Sequence, residues 1–411
     1  MLRQFLTAAA IAPFIAAAGF AQQPAGELSE LEVREIHDRI FTLDTHVDIP
    51  SGYATHTLDP NTWTRLQVDL PKMRAGGLDA AFFIVYVQQR DLTDEGYATA
   101  RARAEQTYQA IMRMVRANPE RIALATTADE VEAIHAEGRL VALIGIENSY
   151  FMGENIEEEV PLWAARGARY AALTHFRNNQ FGGSSNPDLS AGDPMGDPGL
   201  TDLGRRLVEL LNDHGIMVDI SHVGPQTSLE AIQMSRAPVI ASHSGARAVY
   251  DHPRNLTDEL LEAIRDNGGV AQMVAFRSYV RAIDPGLTAA IAELRTEFGL
   301  DQPGGWERST PESRAQYQER IAELRSQYPD ATIADMADHI DHAVSVAGID
   351  HVGIVSDFDG GGGVRGWDDA SETPNVTAEL LRRGYSEEDI AKLWGGNVLR
   401  VMRAVEAAAA R

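Results

Sequence analysis

Eight short runs rich in Val, Ile, Phe and Ala recur along the chain, at residues 40–45, 79–87, 140–146, 170–174, 216–221, 238–242, 269–275 and 351–356. Their continuous apolar character, in place of an in-out alternation, is that of parallel strands buried on both faces. Helical patterns separate them. Leu203, Leu207, Leu210 and Leu211, for example, fall at 3/4 spacing before the stop His214-Gly215. Eight strands alternating with helices predict an α/β fold, a (β/α)8 TIM-like barrel, over an open doubly wound sheet. With 411 residues, 44% of them hydrophobic, the chain has core enough for one large barrel domain. No Ser/Gly linker or internal repeat divides it, so residues 22–411 read as a single domain. The stretch at 277–347, longer than a simple crossover, predicts a helical insertion between strands seven and eight. Two roles for it stay open: a cover or oligomer contact at the mouth, or an elaborated outer layer.

In a parallel barrel the C-terminal ends of all strands meet at one mouth. Five residues that can ligate a metal sit where predicted strands run out: His46 and Asp48 in LDTHVD, Glu147 in ALIGIEN, His222 in VDISH and His243 in VIASH. His46 and Asp48, two apart on an extended chain, face the same side. Alone, such a triplet is equally the mark of a satisfied core histidine. Glu147 follows the apolar run LVALIGI, where a carboxylate must be paired, hydrated or ligating to offset its desolvation. A salt bridge is the competing reading. His222 and His243 end consecutive strands, each after a serine, and a pair of this kind is harder to explain structurally than one. Imidazole and carboxylate donors suit Zn²⁺ or a similar first-row metal such as Co²⁺ or Mn²⁺. Five ligands exceed the need of one tetrahedral zinc, so two Zn²⁺ ions sharing Glu147 is the economical arrangement.

Three further residues stand where chemistry would use them. His175 ends the fourth strand in YAALTH as a donor for an oxyanion. Asp357 ends the eighth in GIVSDFDG, placed for proton transfer. Arg254, in HPRNLTDE, can hold a substrate carboxylate through a bidentate pair, with a surface salt bridge as its alternative. Asp359 competes with Asp357, because period-two alternation gives both the same facing. The glycines at 360–363 form a flexible loop and no phosphate cradle, since no Lys-Ser/Thr helix start follows. His339 and His342, on a helix with Asp338 and Asp341, read as residues of a solvated face.

The first residues, MLRQFLTAAAIAPFIAAAGFAQQ, combine Arg3, an apolar stretch and small residues around Phe20. They read as a secretory signal peptide cut after Ala21, residues 1–21, which predicts an exported, periplasmic or secreted protein. A formal charge of −24 argues against nucleic acid and anionic lipid as partners. Cysteine is absent, which excludes disulfides and thiolate ligands. The only lysines are Lys72, before the second strand, and Lys392, in the C-terminal helix. A carbamylated lysine therefore cannot bridge cations at the mouth, and Glu147 is the natural bridge.

DTHVD, GIEN, LTHFRNN, VDISH, ASHSGARA, RNLTDE, HIDHAVSVAGIDHVGIVSDFDG and WGGNVLRV, in this order from Thr42 to Val401, resemble the membrane dipeptidase (renal dipeptidase) family of zinc metallopeptidases. The resemblance implies a barrel of the metal-dependent hydrolase type with a dinuclear zinc site that hydrolyses dipeptides. It assigns His46 and Asp48 to one zinc, His222 and His243 to the other, and Glu147 to both. It also places His175 on the tetrahedral intermediate, Arg254 on the substrate's C-terminal carboxylate and Asp357 in proton handling. The expected reaction is attack on the peptide bond by a hydroxide bridging the two zinc ions. Lacking cysteines and a C-terminal hydrophobic signal, the chain carries over no disulfide-linked dimer and no lipid tether, although a homodimer stays open. Two other readings are a lactonase or phosphotriesterase-like amidohydrolase and a non-catalytic exported binding protein. The missing lysine bridge and the presence of Arg254 oppose the first, and the intact ligand set opposes the second.

Overall fold

A computed structural model describes residues 28–302 and 305–409; the expected signal peptide lies outside the described residues. Among the described residues ten strands form: β1 (Leu43–Val47), β2 (Ala80–Tyr86), β3 (Ile122–Leu124), β4 (Leu140–Glu147), β5 (Ala168–Ala172), β6 (Met217–Asp219), β7 (Ile240–Ala246), β8 (Asn255–Leu256), β9 (Val270–Val274) and β10 (Val352–Val355). Eight of them follow one another in parallel in the order β1-β2-β4-β5-β6-β7-β9-β10. The ring closes where Val47 bridges Phe358 and the Asp48 N–H donates to the Phe358 carbonyl at 2.9 Å. The result is a nearly closed (β/α)8 barrel, and each of the eight expected strands is one of its staves. β3 and β8, too short to leave an apolar run, pair only with β4 and β7 from outside this path.

Burial explains the strands' composition. Every residue of β1, β4, β7 and β9 is buried. Leu43, Phe82, Val141, Met217, Ile240 and Val270, near the starts of their strands, form one cluster with Val398, Val401, Met402 and Val405. These last residues belong to the C-terminal helix Asn397–Ala409, which therefore plugs the end of the barrel away from the mouth. The outer helices bury their apolar stripes against the strands' other faces. Helix Asp202–Asp213 is capped by Thr201, which accepts from the Gly204 N–H, and buries Leu207, Leu210 and Leu211. It stops at Gly215, whose φ of 68° suits glycine. A capping box of Ser29 and Glu32 opens the first helix, and Ser386 caps the helix leading into the C-terminal one.

Between β9 and β10 the chain is helical, as expected, and its segments serve different ends. Helices Pro285–Glu297 and Pro311–Gln327 share a small apolar cluster of their own, with Leu294, Leu300, Tyr317 and Ile321 at its centre. Helix Ile333–Ala347 is an ordinary barrel crossover that buries Met336, Ala337, Ile340 and Ala343. This corrects the reading of His339. Its ring is buried, with Nδ1 accepting from the Ala246 N–H at 2.8 Å and Nε2 donating to the Val280 carbonyl at 3.0 Å. Asp338 and Asp341 lie on the outward face, but position 339 falls at 3/4 spacing from Met336 and Ala343 on the inward one. His342 is on the outer face and pairs with Asp258 at 2.7 Å. Among the described residues no helix is long and apolar enough to cross a membrane.

One glycine connects packing to the site. A Cβ on Gly145, in β4, would lie 2.2 Å from the buried Tyr170 ring on β5. Gly145→Ala is expected to destabilise the protein by about 1–3 kcal/mol through overpacking, read as a lower urea midpoint. An unchanged midpoint would show that the ring has room to move.

Candidate metal centre

The barrel delivers the expected ligands to one point. Glu147, the last residue of β4, is buried, and its Oε1 lies 3.8 Å from His46 Nε2, 3.6 Å from His175 Nε2, 3.1 Å from His222 Nε2 and 3.3 Å from His243 Nε2. His46 Nε2 is also 3.5 Å from Asp48 Oδ2 and 3.9 Å from Asp357 Oδ1. Three overlapping groups of donor atoms, each within 4.8 Å, result: His46, Glu147 and His243; Glu147, His175 and His222; His46, Asp48 and Asp357. His46 and His243 lie inside their strands, each strand running further toward the mouth than its apolar run suggested.

Local backbone geometry aims these side chains. Register shifts on β1 between Asp44 and Val47, and between β7 and β9 at 241–244, re-aim the strand ends beside His46 and His243. Among the described residues six non-glycine residues have positive φ: Ala54, Asn148, Arg177, His222, Asp357 and Asp359. All six follow the C-terminal end of a barrel strand, so backbone strain is concentrated at the mouth. Gly360 is required there for space, because a Cβ would sit 2.3 Å from Asp357 Oδ1 and 2.4 Å from Asp48 Oδ2.

The same strain separates the two competing aspartates. The chain leaves strand geometry after Val355, so alternation no longer governs. Asp357 turns into the centre, whereas Asp359 accepts hydrogen bonds from the Gln67 and Val68 N–H groups at 3.0 and 3.2 Å. Arg254 is not a surface residue. It is buried, donates to the His243 carbonyl at 2.9 Å, and stands 5.3 Å over the Tyr279 ring. It makes no ion pair with any described carboxylate, which leaves a buried cation with binding capacity to spare. The lysines stay away, as expected: Lys72 is tied to the Leu66 carbonyl and Asp369, and Lys392 to Asp350.

The donor chemistry fits divalent cations. Burial drives the His222 and His243 imidazoles well below the ordinary range, which keeps them neutral as ligands must be. Burial also lifts Glu147 to about 8 and Asp357 to about 7. For His46, burial pulls downward, but Glu147, Asp48 and Asp357 together outweigh it and raise the ring to about 10. Crowded carboxylates that draw in a proton draw in a metal ion more strongly. Among the described residues His46 Nε2 is a buried nitrogen with no hydrogen-bond partner, and the His222 and His243 Nε2 atoms face each other at 2.8 Å. Nitrogens brought together in this way would fit donors to a shared ion. His175, lowered to about 3 by burial and then by Arg254, is a neutral ring.

Sequence reasoning missed three neighbours of this centre. Tyr86 ends β2 in register with Glu147, its ring 4.9 Å from that of His175. The strand-end rule that found the ligands would have found it too. Phe176 packs against the His175 ring at 4.4 Å, and Tyr170, on β5, touches His46 Nδ1 at 3.0 Å.

The comparisons agree with this geometry. The sequence is 32% identical to the dipeptidase ataJ of Aspergillus terreus over 402 residues, covering 91% of this chain and 86% of that protein. The crystal structure of the probable dipeptidase PvdM from Pseudomonas aeruginosa superposes with a TM-score of 0.80 at 33% identity, covering 92% of this chain and 98% of that one. That of dipeptidase AC, a metallopeptidase of family M19, does so with a TM-score of 0.69 at 26% identity, covering 89% and 98%. Residues 30–411 match the membrane dipeptidase family, peptidase family M19, and the chain, with its barrel and its convergent imidazoles and carboxylates, belongs to that family of metal-dependent dipeptidases.

Proposed function

We propose that the protein hydrolyses the peptide bond of dipeptides with two Zn²⁺ ions bridged by Glu147. The observation that carries this reading is the single oxygen of Glu147 lying within 4 Å of four imidazole Nε2 atoms carried on or just after four different strands. His46 and Asp48 would hold one ion and His222 and His243 the other. Bound there, the ions supply Lewis acidity, polarising the scissile carbonyl and bringing the pKa of nearby water toward neutral.

The remaining groups bind, orient and move protons. Arg254, buried and without a carboxylate partner, takes the substrate's terminal carboxylate. That contact favours dipeptides over longer chains, because a further residue would have to occupy the guanidinium's place. His175, neutral and flanked by Tyr86 and Phe176, donates to the oxygen that becomes negative as the carbonyl is attacked. Asp357, lifted to about 7, accepts the water proton and passes it to the leaving amine. The leader-like start of the chain supports export to the periplasm or medium, with removal of residues 1–21.

Three measurements test this. Glu147→Gln is expected to lose both zinc ions and reduce turnover to background; full stoichiometry with normal turnover would refute the bridge. Arg254→Ala should raise KM for dipeptides about 10- to 100-fold, the loss of one charge-assisted contact, with metal content unchanged. An unaltered KM would remove the residue from substrate binding. His175→Ala should lower kcat by about 10²–10³-fold at full zinc occupancy; a kcat within a factor of two of the parent would deny it the oxyanion role.

A further inference from the structure

The distal nitrogens of the two histidines buried deepest in the centre are not left to chance. Tyr170 has one hydroxyl proton and donates it to the Thr45 carbonyl at 2.9 Å. At its 3.0 Å contact with His46 Nδ1 the phenol oxygen is therefore the acceptor, so Nδ1 carries the hydrogen. Nε2, the atom facing Asp48, Glu147 and Asp357, is then the nitrogen that would give up its proton and present a lone pair to a metal ion. A second chain of bonds does the same for His243. The Ser242 hydroxyl donates to Asp219 Oδ2 at 2.6 Å and so accepts from His243 Nδ1 at 2.8 Å. Asp219 Oδ1 in turn accepts from the Ser221 and Ser242 N–H groups at 3.0 and 2.9 Å. One carboxylate thus ties together β6 and β7, the strands that carry His222 and His243.

His222 has no such support. Among the described residues its Nδ1 is buried without a hydrogen-bond partner, and the ring is aimed by a backbone φ of 68°. The two halves of the centre are therefore held differently: Tyr170 steadies the His46 side, and on the other side His243 alone is fixed by a hydrogen-bonded relay.

We infer that Tyr170 and the pair Asp219–Ser242 are positioning residues that fix the Nδ1–H tautomers of His46 and His243, each setting the affinity of one of the two metal half-sites. The inference rests on the proposed metal centre and adds which residues govern each ion separately. Partners that orient a ligating imidazole typically change metal affinity by about 10- to 100-fold. Ser242→Ala leaves the Asp219 carboxylate bonded to two backbone N–H groups, so the strand tie survives while the relay is cut.

The test is a zinc titration of the full-length protein against a competing chelator, paired with anomalous scattering from crystals at limiting zinc. Ser242→Ala should weaken one of two ions about 10- to 100-fold, with density lost beside His222 and His243 and kept beside His46 and Asp48. Tyr170→Phe should show the reverse, and Ser242→Thr, which keeps the hydroxyl, should restore the affinity. In the zinc-loaded parent, ¹⁵N spectra should show hydrogen on Nδ1 of both rings, a readout that needs no variant to fold. Parental affinity for both ions in Ser242→Ala, equal loss of both, or an Nε2–H tautomer in the parent would overturn the relay. A parent that binds no zinc would instead overturn the metal centre itself.

Discussion

Glu147 is a buried carboxylate whose charge its surroundings disfavour, pushing it up to about 8, so that it holds a proton unless a cation takes the proton's place. It ends a strand whose every residue is buried, its Oε1 lies within 4 Å of four imidazole nitrogens, and the buried Arg254 is occupied with the His243 carbonyl. Asp48 and Asp357 crowd the same volume, their oxygens within 4.8 Å of each other. At that separation two unit charges repel by roughly 3–4 kcal/mol even at an effective dielectric of 20. Divalent cations convert this repulsion into attraction, and the backbone strain at His222 and Asp357 is sustained by a fold that holds them in place.

The barrel supplies that over-determination from below. The C-terminal helix fills the end away from the mouth, Tyr170 fits against the bare face of Gly145, and the β1–β10 closure runs through Asp48 itself. The Asp44 carboxylate, raised to about 6 by burial, accepts from the His46 and Ser356 N–H groups and so ties the first strand to the last within two residues of a ligand. Stability and site geometry thus share the same hydrogen bonds. The helices around Leu294 and Tyr317 have a small core of their own.

How much of this could be read from residues alone follows from the range of each signal. The eight staves were visible because a strand buried on both faces writes a continuous apolar run, and the candidate ligands were visible because each stands at the end of one. Period two puts His46 and Asp48 on the same side of the chain, and on and beside β1 their side chains lie 3.5 Å apart. The same rule failed at Asp357 and Asp359, where positive φ at both residues ends strand geometry. Arg254 could not be told from a surface arginine, because its burial comes from Tyr279 and His243, distant in sequence or on another strand. His339 was misplaced when two neighbouring aspartates outweighed the 3/4 pattern of the inward face. Tyr170 and Asp219 were beyond reach: their partners are set by cross-strand register, which no local pattern records.

The most direct test of the account is the anomalous scattering of the parent protein crystallised at saturating zinc. The account predicts two peaks about 3.5–4 Å apart, one beside His46 and Asp48, the other beside His222 and His243, with a carboxylate oxygen of Glu147 bonded to each. A single peak, or a second peak that Glu147 does not touch, would contradict it.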